Sequence, residues 1–170
     1  MRHTDANARP DLTARLPPEE LIHLSPDVFT QPFWDAAAEH RLVVPRCAAC
    51  GTFRLPPSAF CWTCRAQAVE WIEHDGAGEV YSFTVVHHPL MPELSDSVPY
   101  VPAVVELPGT GGCRLVGALQ QVRLPTVRVG LPVELVWRDV REGVTVPTFR
   151  PARGDDRAPD EPVYANEDGR

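Results

Sequence analysis

Four cysteines are the residues of this chain whose type and spacing best suit chemistry. In RCAACGTFRLPPSAFCWTCR, residues 46–65, they fall as two C-x-x-C pairs, Cys47/Cys50 and Cys61/Cys64, with ten residues between the inner two. A two-residue gap lets one tight turn present both sulfurs of a pair, with backbone amides free to donate to them. Two such turns facing each other supply four thiolates, which suits a tetrahedral Zn²⁺ with Zn–S distances of about 2.3 Å. Gly51 directly follows the first pair, where a turn of this kind needs positive φ. The linker GTFRLPPSAF is long enough to run out and back. The pattern therefore predicts a zinc ribbon holding one Zn²⁺. A single iron atom on the same four sulfurs is the alternative metal, whereas a dithiol redox centre needs only one pair. With sulfur at all four positions no coordination place is left for water or substrate, so the expected role is structural.

The remaining chemistry-bearing residues form no such set. Tyr81 and Phe83 alternate along GEVYSFTVV and are expected on one strand face, where they would stack on a flat ligand or pack into a core. His87 and His88 are adjacent, so they point to opposite faces and cannot grip one metal. His87 is the candidate to face a ligand pocket, with capping of a strand end as the plainer use. Cys113 opens a strand pattern and reads as a buried thiol. Arg114, Arg123 and Arg128 would suit the phosphates of CoA, or are ordinary surface charges. No G-x-S-x-G, G-x-G-x-x-G or Walker A pattern occurs. All sixteen basic residues are arginine, which excludes Schiff-base chemistry, pyridoxal-phosphate attachment and a P-loop lysine. No catalytic constellation is assigned.

The elements that must position these residues follow from patterning. The chain has 170 residues, 44% of them hydrophobic, enough for one medium domain or two small ones. No apolar run reaches about 18 residues and no signal-type apolar region opens the chain, so a cytoplasmic, reducing compartment away from membranes is expected. The net charge is −7, yet residues 33–150 carry 10 Arg against 12 Asp plus Glu, a net of −2. A near-neutral body argues against nucleic acid, which calls for clustered cations. Residues 1–28 read as a flexible extension with a helical turn at PPEELIHL. Residues 29–45 form the helical unit, opened at Thr30 or Gln31 with Pro32 in its first turn. Residues 46–72 form the ribbon. Residues 73–152 hold GEVYSFTVVHH, YVPAVVEL, CRLVGALQQV, PVELVWRDV and VTVPTFRP, five β-like runs that fit a small OB-like barrel. Residues 153–170 are an acidic tail expected to be disordered. The fold class is mainly β. Phe33 and Trp34 on the helix, with Phe53, Leu55, Phe60 and Trp62 in the ribbon, form an apolar set that either packs inward or meets another protein.

The order FWDAAAEHRLV, RCAACGTFRLPPSAFCWTC, EWIEHDGAGEVYSFTVVHHP, PYVPAVVEL, VRVGLPVELVW and GVTVPTFRP resembles one bacterial and archaeal family. Its members join a zinc ribbon to an OB-fold and were long known only as a domain of unknown function associated with acyl-CoA. The resemblance spans residues 29–152. It implies an N-terminal helix, a rubredoxin-like zinc ribbon and a C-terminal OB-fold barrel. It also implies a companion subunit of thiolase-like enzymes: lipid-transfer-protein-type aldolases of steroid side-chain breakdown, thiolases of aromatic degradation, or acyltransferases. Hot-dog-fold hydratases are further partners or fusions, with acyl-CoA near the interface. The four ribbon cysteines carry over as Cys47, Cys50, Cys61 and Cys64, and no catalytic residue does. The leading expectation is thus a non-catalytic subunit supporting an acyl-CoA enzyme. A stand-alone acyl-CoA binder and a nucleic-acid-binding OB module are the alternatives.

Overall fold

A computed structural model describes residues 12–153. The acidic tail expected over 153–170 lies outside the described residues from 154 onward, as do the first eleven residues of the extension. Leu12–Arg15 lie along the barrel: Thr13 bridges Arg123, Arg15 bridges Tyr100, and the Ala14 amide donates to the Val122 carbonyl at 2.9 Å.

Helix α1 spans Gln31–Ala38. Asp27 prepares its entry: one carboxylate oxygen accepts from the Phe29 and Thr30 amides and from the Thr30 hydroxyl, at 2.8–3.0 Å. Pro32 occupies the first turn, where a missing N–H costs nothing. Phe33, Ala36 and Ala37 form the buried face. The helix is shorter than the 29–45 expectation. It ends before His40, whose φ is 59°, and the β-branched pair Val43–Val44 followed by Pro45 then favours a strand. That strand is β1, Leu42–Cys47. It pairs antiparallel with β2, Val69–His74, placing Val44 opposite Ile72 and Cys47 opposite Val69. The cysteine segment is the excursion between these two strands.

The five expected runs become β3 (Ala77–Phe83), β4 (Val101–Glu106), β5 (Arg114–Leu119), β6 (Pro132–Arg141) and β7 (Val144–Pro151). They close into a barrel in the order β3-β4-β5-β7-β6, with β6 returning to β3. Only the β5–β7 pair is parallel. This is the five-stranded closure of an OB barrel. β4 shows the alternation that builds its interior: Val101, Ala103 and Val105 are buried while the residues between are half-exposed. Gly117 is required where β5 meets β7, because a Cβ there would lie 2.9 Å from the Phe149 ring and 3.0 Å from the Pro147 carbonyl oxygen.

One core joins the parts. Phe33 from α1 and Leu42 and Val44 from β1 cluster with Val80, Val105, Leu119, Val133 and Phe149 of the barrel. His74 staples the corner between ribbon and barrel: its Nδ1 accepts from the Gly76 amide and its Nε2 donates to the Pro108 carbonyl, both at 3.0 Å. No helix among the described residues is long and apolar enough to cross a membrane.

Candidate metal centre and ribbon surface

The two C-x-x-C segments are built alike. In the first, the Gly51 amide donates to the Cys47 carbonyl at 2.9 Å; in the second, the Arg65 amide donates to the Cys61 carbonyl at 2.9 Å. Each turn needs a left-handed residue directly after its second cysteine. Gly51 supplies it with φ 75°, and Arg65 supplies it with φ 66°. A Cβ at Gly51 would meet nothing within 4 Å, so backbone conformation alone selects glycine there. Spacing pointed to Gly51; nothing in the sequence marked Arg65 as its counterpart.

The turns bring all four Sγ atoms within 4.8 Å of one another. Cys47 Sγ lies 3.6 Å from Cys64 Sγ, and Cys50 Sγ lies 3.6 Å from Cys61 Sγ. A tetrahedron with 2.3 Å arms has edges of about 3.8 Å, so these cross-pair distances suit one Zn²⁺. No fifth acidic or imidazole group joins the cluster among the described residues. Cys47 and Cys61 are buried, whereas Cys50 and Cys64 face outward. The Cys64 amide, aided by the Thr63 amide, outweighs burial and draws the Cys61 thiol down to about 6. The Thr52 hydroxyl and amide likewise hold the Cys50 thiol below its usual range. At Cys64 the Ala66 amide is outweighed by the neighbouring thiols, and the thiol is pushed up to about 12. Zn²⁺ takes cysteine as thiolate, so a bound ion would balance the charge gathered on these clustered sulfurs.

The other expected site residues divide sharply. Phe33, expected at a partner surface, is instead 5% exposed and belongs to the core, because the buried face of α1 includes it. Its neighbour Trp34 is half-buried and meets the Phe33 ring edge-on at 4.9 Å. Phe53 and Leu55 are half-buried against the core, and the Arg46 guanidinium lies 5.9 Å from the Phe53 ring centroid. Phe60 and Trp62 are 55% and 59% exposed, flanking the buried Cys61. They are the ribbon's outward aromatic pair.

Tyr81 and Phe83 do not share a face. The register shifts between Val80 and Ser82, a β-bulge that leaves Tyr81 as the extra residue. Phe83 then sits opposite buried Ala103 and packs on the core, while Tyr81 stays exposed beneath the Arg114 guanidinium, 3.4 Å from its ring centroid. Arg114 also pairs with Glu106 at 2.9 Å. His87 is exposed, as is His88, and Cys113 is buried. The structure brings none of these to the metal centre. Sequence reasoning missed Arg54, which is 1% exposed beneath the ribbon; a lone arginine between Phe53 and Leu55 carries no signal of burial.

Residues 34–70 match the model of the ChsH2 rubredoxin-like zinc ribbon domain, and residues 71–138 match that of the ChsH2 C-terminal OB-fold domain. A probable enoyl-CoA hydratase alpha subunit of Thermomonospora curvata is 44% identical over 121 residues, 71% of this chain. The match covers only 37% of that protein's own length. A DUF35 domain-containing scaffold protein of Methanocaldococcus jannaschii is 35% identical over 103 residues, covering 59% of this chain and 70% of that protein. Among solved structures, a chain of an Ltp2-ChsH2(DUF35) aldolase superposes with a TM-score of 0.69 and 39% identity, over 76% of this chain and 98% of that one.

Proposed function

The chain belongs to the ChsH2 family of zinc-ribbon and OB-fold proteins, and from that membership we propose that it is a non-catalytic companion subunit. Its partner is a thiolase-like enzyme, whether thiolase, acyltransferase or retro-aldolase, that acts on acyl-CoA substrates. The partner supplies the reacting groups, and this chain completes the complex.

The observation that carries this role is the pair Phe60 and Trp62, held outward on a loop clamped at Cys61 and Cys64. Large aromatics on a rigid frame are favourable docking anchors, because little side-chain and loop freedom remains to be lost on binding. Leu55, Phe53 and Trp34 pack instead against the core. The closed cysteine set suits a mechanical role, since four sulfurs leave the metal no place for substrate. The names of the relatives, an aldolase containing ChsH2(DUF35), a scaffold protein and a hydratase subunit, agree with an assembly partner. A division into a docking ribbon over 46–72 and an OB-fold over 73–152 follows from the same scheme.

Native mass spectrometry of the chain purified by affinity from its host tests this. The expected result is one zinc ion per chain and a thiolase-like subunit, or a hydratase subunit in the same complex. Trp62→Ser should retain zinc and lose the partner. A zinc-bound monomer, beside a neighbouring thiolase fully active without it, would overturn the companion role.

A further inference from the structure

Strand β2 has an edge that nothing among the described residues occupies. It lies in a two-stranded sheet, paired with β1 along one side. The phase of that pairing fixes where its backbone groups point, because a strand sends the N–H and C=O of alternate residues to opposite sides. On β1 the Cys47 amide donates to the Thr52 carbonyl at 2.8 Å, and the Pro45 carbonyl accepts from the Arg54 amide at 2.9 Å, so Pro45 and Cys47 face the cysteine loop. Val44 and Arg46 therefore face β2, opposite Ile72 and Glu70, and just beyond them the Ala48 amide donates to the Ala68 carbonyl at 3.1 Å. Val69, Trp71 and Glu73 are left with N–H and C=O aimed away from β1. None of these groups has a hydrogen-bond partner among the described residues. Val69 and Glu73 are exposed and Trp71 is half-buried.

An open edge is a template for another strand, and soluble proteins blunt theirs with proline, bulges or charge. β2 contains no proline and pairs with β1 without a register shift. Of its two carboxylates, Glu70 is neutralised by Arg46 at 2.8 Å. Glu73 forms no ion pair among the described residues, and Arg41, the cation that feels its charge, is held by Glu39 at 2.6 Å. Val69, Trp71 and Glu73 share one face of the strand. Val69 and Trp71 also wall a cavity of about 320 Å³, together with Phe29, Pro32 and Pro57. A strand laid on this edge would present apolar side chains toward the cavity and, two positions on, a basic side chain toward Glu73. A second copy of this chain is the poorer occupant: VEWIEH offers no arginine to Glu73, and two chains of net charge −7 repel.

We propose that the open edge of β2 docks an extended segment of the partner polypeptide by strand addition, with apolar residues beside Val69 and Trp71 and a basic residue beside Glu73. Strand addition presupposes the companion role and specifies how the partner is held. Main-chain hydrogen bonds at Val69, Trp71 and Glu73 give the join its strength, while the cavity and the Glu73 carboxylate select the segment.

Amide hydrogen exchange on the zinc-loaded full chain, alone and in the complex purified from its host, tests this. Alone, the Glu70 and Ile72 amides, which face β1, should be protected, and those of Val69, Trp71 and Glu73 should exchange freely. In the complex these three should slow by at least about tenfold. Val69→Pro removes one outward N–H and no bond to β1, so it should weaken the partner by about fivefold or more, with zinc content and far-ultraviolet circular dichroism unchanged. Glu73→Arg should weaken it by about 2- to 5-fold, and tighter binding would overturn the basic segment. A complex that keeps its partner while the three amides still exchange freely would overturn strand addition and leave the companion role standing. A chain that retains no other polypeptide would overturn both. Protection of the three amides in the monomer would mean that the edge is already closed, and protection that appears only as the chain dimerises would give the edge to a second copy; either result overturns the proposal.

Discussion

The two ribbon turns form a matched experiment, because they place different residues in the same backbone conformation. Gly51 has φ 75° and Arg65 has φ 66°. For a residue with a Cβ the left-handed region costs about 1–2 kcal/mol. At Gly51 an added Cβ meets nothing within 4 Å, so Gly51→Ala should cost that backbone penalty, less about 0.5–1 kcal/mol of backbone entropy that alanine saves, and no steric term. Arg65→Gly removes the same penalty. It also raises the backbone entropy lost on folding, by about 0.5–1 kcal/mol. The Arg65 side chain is exposed and makes no hydrogen bond or ion pair with other described residues, so nothing else is lost. The net gain is about 0.5–1 kcal/mol. Ribbon folding and metal binding are one process, so both changes should appear in zinc affinity. Competition with a chromophoric chelator should show Gly51→Ala weaker and Arg65→Gly tighter, each by about 2- to 5-fold. If Arg65→Gly weakens zinc binding while Gly51→Ala leaves it unchanged, the backbone account of the two turns is wrong.

Zinc affinity should also rise with pH through the neutral range. Zn²⁺ binds thiolates, so any ligand still protonated must release its proton. Cys61, drawn down to about 6, is already ionised above that pH and gives up no proton there. Cys64, pushed up to about 12, holds its proton across the range and must release it. The apparent constant should therefore climb by about tenfold or more per pH unit between 7 and 9, and a flat profile by chelator competition would contradict this. In the barrel, Gly117→Val places a branched side chain where even a Cβ lies 2.9 Å from the Phe149 ring. Overpacking of this kind should cost about 1–3 kcal/mol or more in urea unfolding, with the zinc content unchanged.

The sequence was legible where the determinants are local. A two-residue gap between cysteines dictates a turn whatever surrounds it, so the metal set could be read directly. The strands could be read because Val101, Ala103 and Val105 alternate with outward residues, and all five runs became barrel strands. Closure was harder, because the parallel contact of Ala118 and Leu119 with Thr148 and Phe149 joins residues far apart in the chain. Two local errors have physical causes. Period-2 alternation put Tyr81 and Phe83 on one face, and one extra residue in β3 separated them. Phe33 stood with Trp34 as a candidate for a partner surface, but the helix turns Phe33 fully inward and leaves Trp34 half-buried against it. Arg54 was hidden for a statistical reason: arginine is rarely buried, and its burial here depends on the carbonyls of Gln67 and Ala68 arriving from the far side of the hairpin.

The metal's place in the fold separates what it supports from what it does not. β1 contributes Leu42 and Val44 to the same core as the barrel, so that strand stays packed whether or not the cysteines hold an ion. The outer part of the segment between β1 and β2, beyond Phe53 and Leu55, has no comparable core: Phe60 and Trp62 are exposed, and its backbone is tied at the second cysteine turn. Removing zinc should thus release that loop first. The aromatic pair would remain in the sequence but lose its fixed presentation, and docking would then require the loop to be ordered at the moment of binding, at roughly 1–2 kcal/mol per residue fixed. If the proposed companion role holds, chelation should consequently separate the chain from the proposed partner while the barrel's far-ultraviolet circular dichroism persists, and added Zn²⁺ should restore the complex. Barrel and complex lost together at the same chelator concentration would mean that the ribbon is part of the folding core, and that its surface cannot be treated as a separately clamped platform.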